Sequence, residues 1–537
     1  MQAARMKSPV ASMPTEILGD IFDIAFRSSS EARSRVAFRA AISQVSRRWR
    51  DVSFSLASLW SFIAPSISRT HILRSKNHPL DIFLDTTVGC DSSHWWHINV
   101  SLDSVLPYVS RWREFHAETV DAYAMCAITT RLAYLSAPLL ERLTLRVKRY
   151  WEADGPFPPA ILFKRGAPRL ESIRLHNISL RASLVPSVTH LELRFTHFGD
   201  DALTVMDFFS FLSSMRSVVD LTLDGSIVET ENYVWSFPHV VKTLHFPYLQ
   251  RLIARSAYTE SWCAWLVGAV HAPALLFLAV HIFNSDEDDY DFPPVLRAFS
   301  VFASAPRYPS LRSLTLDGVR IVPDPATPTS VLRDFMRALP SLTTLCLACS
   351  DHGRVALWTT LLAPAAEPLW PRLQRLCLLG GPRYTDYEPI GPPDDDGTRE
   401  CDVLANVLQH RAAAGMEPLR ALHLDPSVLQ HITRASSPEH RDHDESEAVV
   451  HDACLDADER TAVYADRRVD VLRSHVAVVL EPDAPARYDL KCRACALFWT
   501  AGRVACMFEG VGLEGSTGKE YCPGDAMPYS CACTPGG

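Results

Sequence analysis

The side chains with the most coordination chemistry crowd the end of the chain. Cys492 and Cys495 form a Cys-x-x-Cys pair, and Cys506, Cys522, Cys531 and Cys533 follow, six of the fourteen cysteines. Thiolates at this spacing hold zinc when a second pair stands a finger's length away. No second pair does, so the end is read as loop-rich and without metal, and Cys492, Cys495, Cys522 and Cys531 are the alternative, a zinc site. Gly510-Val511-Gly512-Leu513-Glu514-Gly515 has the glycine spacing of a dinucleotide-binding turn, which needs a helix after it. Ser516 to Asp525 carries Pro523 and two further glycines, so no helix is expected there. Gly518-Lys519 resembles a phosphate loop, but Glu520 stands where Ser or Thr is required. His431, His440, His443, His451 and Cys454 lie among carboxylates with no common face. No Ser/His/Asp or Cys/His arrangement can be assembled and no cofactor is implied. The chain reads as non-catalytic, with an enzyme using the cysteine-rich end as the remaining alternative.

Function must then reside in surfaces, and the front of the chain offers one. Met13-Pro14-Thr15-Glu16-Ile17-Leu18-Gly19-Asp20-Ile21-Phe22 opens a short helix, with Pro14 in its first turn and Glu16 near the positive end of its dipole. Ile17, Leu18, Ile21, Ile24 and Ala25 fall on one apolar stripe. Ile42, Val45, Trp49 and Val52 share a second, from which Arg47, Arg48 and Arg50 point away; Leu59-Trp60 follows. About 50 residues of short helices cannot bury so much apolar surface among themselves, so a partner is expected to cover the rest. A generic three-helix core with a buried tryptophan is the alternative.

These two half-motifs resemble the F-box. Met13-Pro14, Glu16-Ile17-Leu18 and Ile21-Phe22 match its opening pattern, and Val45, Arg47-Arg48-Trp49-Arg50 and Leu59-Trp60 its closing one. Met13 replaces the usual Leu, Ser46 stands where Cys is common, and the spacer Arg27 to Arg39 is long. The resemblance covers about a tenth of the chain. It implies a three-helix module over residues 13–63 that docks on a Skp1-like adaptor, and through it on a cullin. It assigns partner binding to Met13, Pro14, Ile17, Leu18, Ile21, Phe22, Val45, Trp49, Leu59 and Trp60.

Behind the module runs a repeat. After a connector, Leu80, Ile82 and Leu84 alternate with other residues, as do Ile98, Val100 and Leu102; both are read as short strands. Val109 to Phe115 anticipates the repeat proper, a proline followed by L-x-x-L-x-L. The unit recurs ten times, from Pro138 with Leu140, Leu143 and Leu145 to Leu419, Leu422 and Leu424; one unit, led by Val218, lacks the proline. Segments such as Ser330 to Leu339 and Asp402 to Gln409 read as helices between the strands. One unit is too small to bury its own face, so the units must stack. The pattern resembles the irregular leucine-rich repeats found behind F-boxes, without the Asn or Cys that usually follows the last leucine. A single α/β sheet with coincidental strands is the alternative.

The expected architecture is therefore α+β and solenoidal. Residues 1–12 are read as a disordered start, 13–63 as the helical module, and 64–130 as connector and first degenerate units. Residues 131–425 form the array, an α/β horseshoe, and 426–537 a charged, Cys-rich, partly disordered tail. The implied function is an adaptor that recruits a target protein for ubiquitination, itself a non-catalytic subunit. A non-degradative binding scaffold is the alternative.

Charge bears on partners. The formal net charge is −9, yet residues 1–74 hold eleven Lys/Arg against five Asp/Glu. These arginines lack interleaved aromatics, so a solvated or acid-facing surface is expected rather than nucleic acid. Trp262 to Val280 lacks charge but is broken by His271 and Pro273, and reads as a buried helix and strand, not a membrane span. Residues 1–12 hold no apolar run, so no secretory leader is expected, and the cysteines are expected to be mostly free thiols in the cytoplasm or nucleus. Acidic stretches, Asp286 to Asp289 and Asp394 to Asp396, read as solvated insertions. In the first three units the residues between the leucines face outward and include Arg142, Arg146, Arg174 and Arg194 against Glu192 alone. A merely solvated face is the plainer reading; as the alternative they are the candidate target-binding residues, suited to an acidic or phosphorylated segment.

Overall fold

Proline at the second position of a turn presets its φ, and that geometry begins nearly every unit of this protein. In the computed structural model, Leu140 N–H donates to Ala137 carbonyl, Leu170 to Ala167, Leu249 to Phe246 and Leu275 to Ala272; Leu311, Leu342 and Leu373 do the same. Pro138, Pro168, Pro247 and their equivalents sit second in these turns. The residue before each proline is buried, from Ala137 to Trp370, an inward position the L-x-x-L-x-L pattern does not reveal. The turn then delivers the chain into a strand whose leucines point the same way.

The structure describes residues 9–29, 32–64, 69–85, 94–120, 122–148, 162–178, 187–195, 205–225, 243–256, 260–282, 294–300, 306–319, 329–349, 351–362, 368–380, 396–424 and 477–479. All belong to the first of two units, Met1–Leu480. The strands are β1 (Phe62–Ile63), β2 (Leu80–Asp85), β3 (Trp112–Thr119), β4 (Arg142–Val147), β5 (Ser172–His176), β6 (His190–Phe195), β7 (Asp220–Gly225) and β8 (Leu244–His245). They continue as β9 (Arg251–Ser256), β10 (Val270–His271), β11 (Phe277–Ile282), β12 (Ser313–Asp317), β13 (Thr344–Cys349), β14 (Arg375–Gly380), β15 (Ala421–Leu424) and β16 (Ala477–Val479). Fourteen make one parallel sheet in chain order; β8 and β10 pair with each other beside it. Each strand adds to the edge its predecessor leaves, the topology of a solenoid-like α/β fold.

Register makes the stack. From β3 to β15 the inward residues Phe115, Leu143, Ile173, Leu191, Leu221, Leu252, Leu278, Leu314, Leu345, Leu376 and Leu422 are paired strand to strand. All thirty anchor residues of the ten units are buried in one continuous core. A second layer comes from the segments between strands. It includes α7 (Ala122–Leu132), α8 (Val205–Ser213), α9 (Glu260–Ala269), α10 (Pro294–Ser300), α11 (Thr329–Arg337), α12 (Asp351–Leu362) and α13 (Asp396–Ala413). Aromatic rings of this layer and of the turns meet in two groups: Phe208 lies 6.1 Å from Trp262, while Phe335 lies 5.3 Å from Phe299 and 5.5 Å from Trp370. Burial pushes the Tyr308 hydroxyl far above its ordinary value, and it donates to Val267 carbonyl at 2.6 Å.

Ahead of the sheet lie α1 (Pro9–Ser12), α2 (Thr15–Ser28), α3 (Ala32–Val45) and α4 (Arg47–Ser55), then a 3₁₀ turn, Ala57–Trp60. Helices α5 (Arg69–Arg74) and α6 (His94–Val105) sit between the first strands.

Four expectations change. Ile98, Val100 and Leu102 are helical, in α6: Ile98, Leu102 and Val105 are buried at i, i+4 and i+7 while Val100 is exposed. Ile42, Val45, Trp49 and Val52 do not share one helix. Ser46 is extended and caps α4, its hydroxyl accepting the Trp49 N–H at 3.1 Å, so the chain breaks there and Val45 is exposed. The sheet begins at Phe62, inside the stretch read as the helical module. It extends past 425, since Ala477–Val479 pairs with β15 inside the stretch read as tail. Trp262 to Val280 is a buried helix followed by strands, and among the described residues no helix is long and apolar enough to cross a membrane.

Candidate functional site

The first candidate surface is built by α2. Leu18, Phe22 and Phe26 recur every four residues and face a small core with Ile42, Val52, Leu59, Trp60 and Phe62. Ile17, Ile21 and Ile24 fall about 100° away and remain 48%, 44% and 65% exposed. The stripe expected as one face is therefore two, and the helix is apolar on both. Of the residues assigned to partner binding, Leu18, Phe22, Leu59 and Trp60 are interior, and Met13 and Trp49 are half-buried. Pro14, Ile17, Ile21 and Val45 face solvent. Arg48 donates to the Met13 carbonyl, which sets the start of α4 beside the start of α2. Trp49 stacks obliquely on Phe22 at 4.9 Å, so its ring supports the helix that carries the exposed isoleucines. Pro14 is the residue before the first helical one rather than part of the first turn, with φ −55° and ψ 148°.

A buried arginine joins this front to the sheet. Arg39 of α3 donates to the carbonyls of Phe62 at 3.1 Å and Leu59 at 3.4 Å, and lies 5.0 Å over the Trp60 ring. Burial, then the like charge of Arg74, lowers Arg39 to about 10. The front arginines were expected on a solvated or acid-facing surface; the spacing of Arg39 alone carries no sign that two carbonyls await it.

The second candidate surface is the outward face of the sheet. Arg142 and Arg146 stand on β4, Arg174 on β5 and Arg194 on β6, as the alternation predicts. The carboxylates that meet them were missed in part, because β3 contributes two. Glu114 pairs with Arg142. Glu118 lies 3.7 Å from Arg146, 3.3 Å from Lys148 and 3.7 Å from His116, contacts that hold it at about 2. Glu192 meets Arg194 at 2.6 Å and both Arg174 and His176 at 3.4 Å. Burial would raise Glu192, but His176 and Arg194 bring it down to about 2. Asp224 continues the ladder, 3.1 Å from Arg255 and 3.7 Å from Arg194. Further along, His281 Nδ1 lies 3.1 Å from Asp317.

Cys492, Cys495, Cys522 and Cys531, the glycine-rich stretch and the histidines after 430 lie outside the described residues. Among the described residues no cluster of three metal-ligating side chains occurs. The chain matches no protein-family model and no curated protein.

Proposed function

We propose that this chain is an F-box-type adaptor with leucine-rich-repeat-like units. In this reading the front helices dock on a Skp1-like protein, and through it a cullin, while the stacked strands hold a protein target for ubiquitination. The chain supplies binding rather than catalysis and works in the cytoplasm or nucleus. One observation carries the reading. The front helices close a small core with Phe62 of β1 and still present Ile17, Ile21 and Ile24 to solvent on a helix whose other face is already used. Apolar side chains in that number on one helix face are retained where a partner covers them.

The test is co-purification of a Skp1-like adaptor with the intact chain and with Ile17→Asp/Ile21→Asp, the proteasome being blocked. Loss of the adaptor from a variant of unchanged helicity supports the reading, and retention overturns it. A target that accumulates under the block marks a degradation adaptor; one whose level is unmoved marks a scaffold using the same interface.

A further inference from the structure

Strands β4 and β5 carry no acidic residue on their outward face. Arg142, Thr144, Arg146 and Lys148 come from or follow β4, and Ser172, Arg174 and His176 come from β5. The carboxylates that balance them stand on the strands to either side, and they stand lower. Side-chain exposure is 57%, 47%, 45% and 60% for Arg142, Arg146, Lys148 and Arg174, but 11% for Glu118 and 21% for Glu192. A partner approaching this face therefore meets guanidinium and ammonium groups first, with the counter-charges beneath them. The ion pairs leave donors to spare. Arg146 is held to Glu118 at 3.7 Å, longer than a hydrogen bond, and a guanidinium carries five N–H groups. Burial, and next the like charge of Arg113, lowers Arg142, so an incoming anion relieves repulsion already present.

The register fixes a spacing. Thr144 pairs with Arg174, so Arg174 lies beside the midpoint between Arg142 and Arg146. Along the strand direction the three arginines project at steps of about 6.6 Å, two residues of extended chain each. In an extended peptide, alternate side chains point the same way at that same step.

We propose that this face binds an extended acidic segment with carboxylates at alternating positions, each lying over one of Arg142, Arg174 and Arg146. The proposal rests on the reading of the strand face as the capture surface and specifies the chemistry of what is captured.

The experiment uses the purified full chain and a fluorescein-labelled peptide in which glutamate and serine alternate, followed by anisotropy at low ionic strength. The control peptide has the same composition with its glutamates contiguous. The alternating peptide is expected to bind about tenfold more tightly than the control, and added salt to weaken it. Arg146→Gln/Arg174→Gln should cost it about tenfold or more. Thr144→Glu, which keeps every arginine and places a charge among them, should do the same. Equal affinity for the two peptides, or unchanged binding by either variant, overturns the proposal. Ile17→Asp/Ile21→Asp is expected to leave peptide binding intact, so failure of the adaptor reading and failure of this one are read in separate measurements.

Discussion

The front helices and the strand array are both rich in aliphatic side chains, and they treat them differently. In the array the anchor residues within the strands find neighbours in register on the adjacent strands, and the helices close the remaining side. In the front module, α2 has one neighbouring core and two apolar faces, so Ile17, Ile21 and Ile24 stay in water. The lesson is one of geometry rather than composition. A parallel stack offers each unit a neighbour of the same kind on either side, whereas the front helices have only the start of the sheet to pack against. Apolar surface in the array goes into packing, whereas at the front part of it stays exposed to solvent.

Substitutions can separate the two. Leu345→Ala, in the middle of the stack, should cost about 2–5 kcal/mol. A fall in the urea midpoint would show it, with adaptor binding retained while the protein remains folded. Ile17→Asp/Ile21→Asp should reverse that pattern: an unchanged midpoint, with roughly 2–4 kcal/mol lost from adaptor binding by titration. If both variants moved both readouts, the contrast between the regions would be broken.

The seam between them is sharpened by Arg39→Met, which keeps an unbranched apolar stem and removes the guanidinium. Two buried carbonyls then lose their donor, at about 1–3 kcal/mol. The expected signature is early loss of near-ultraviolet signal from Trp60, ahead of the array. Simultaneous loss would mean the front and sheet unfold as one.

The smallest effect is a pH dependence confined to the outward face. Glu118 and Glu192 are held at about 2 against an ordinary 4.5. Their contribution is fully present above about pH 4.5 and is lost as pH falls towards 2, because protonation must then break the contacts with His116, His176 and Arg194. Glu192→Gln should flatten the acid limb of the stability curve and lower stability at neutral pH by about 1 kcal/mol, since Arg174 and Arg194 lose their shared counter-charge. An unaltered acid limb would remove the charge ladder from the account of stability.

Much of this was readable in the chain. The L-x-x-L-x-L spacing names thirty inward residues, and all are buried, because period-two alternation after a turn leaves a strand one way to face a core. The same logic misread Ile98, Val100 and Leu102, where three apolar residues two apart suit a strand but Ile98, Leu102 and Val105 suit a helix as well. The front motif located its helices yet ran Ile42 into Val52, since periodicity cannot see that Ser46 accepts a hydrogen bond from Trp49 and stops the turn.

The amino-acid sequence by itself determined the repeating strand, its inward residues and the apolar excess at the front, because each depends only on neighbours a few positions away. Tertiary structure alone decided which charges meet. Glu118 and Arg146 lie 28 residues apart, as do Glu114 and Arg142, and only strand register brings each pair together. It also decided that Ile17 faces water while Leu18 beside it is buried, for the reach of a core is set by what packs against the helix and not by the helix's own pattern.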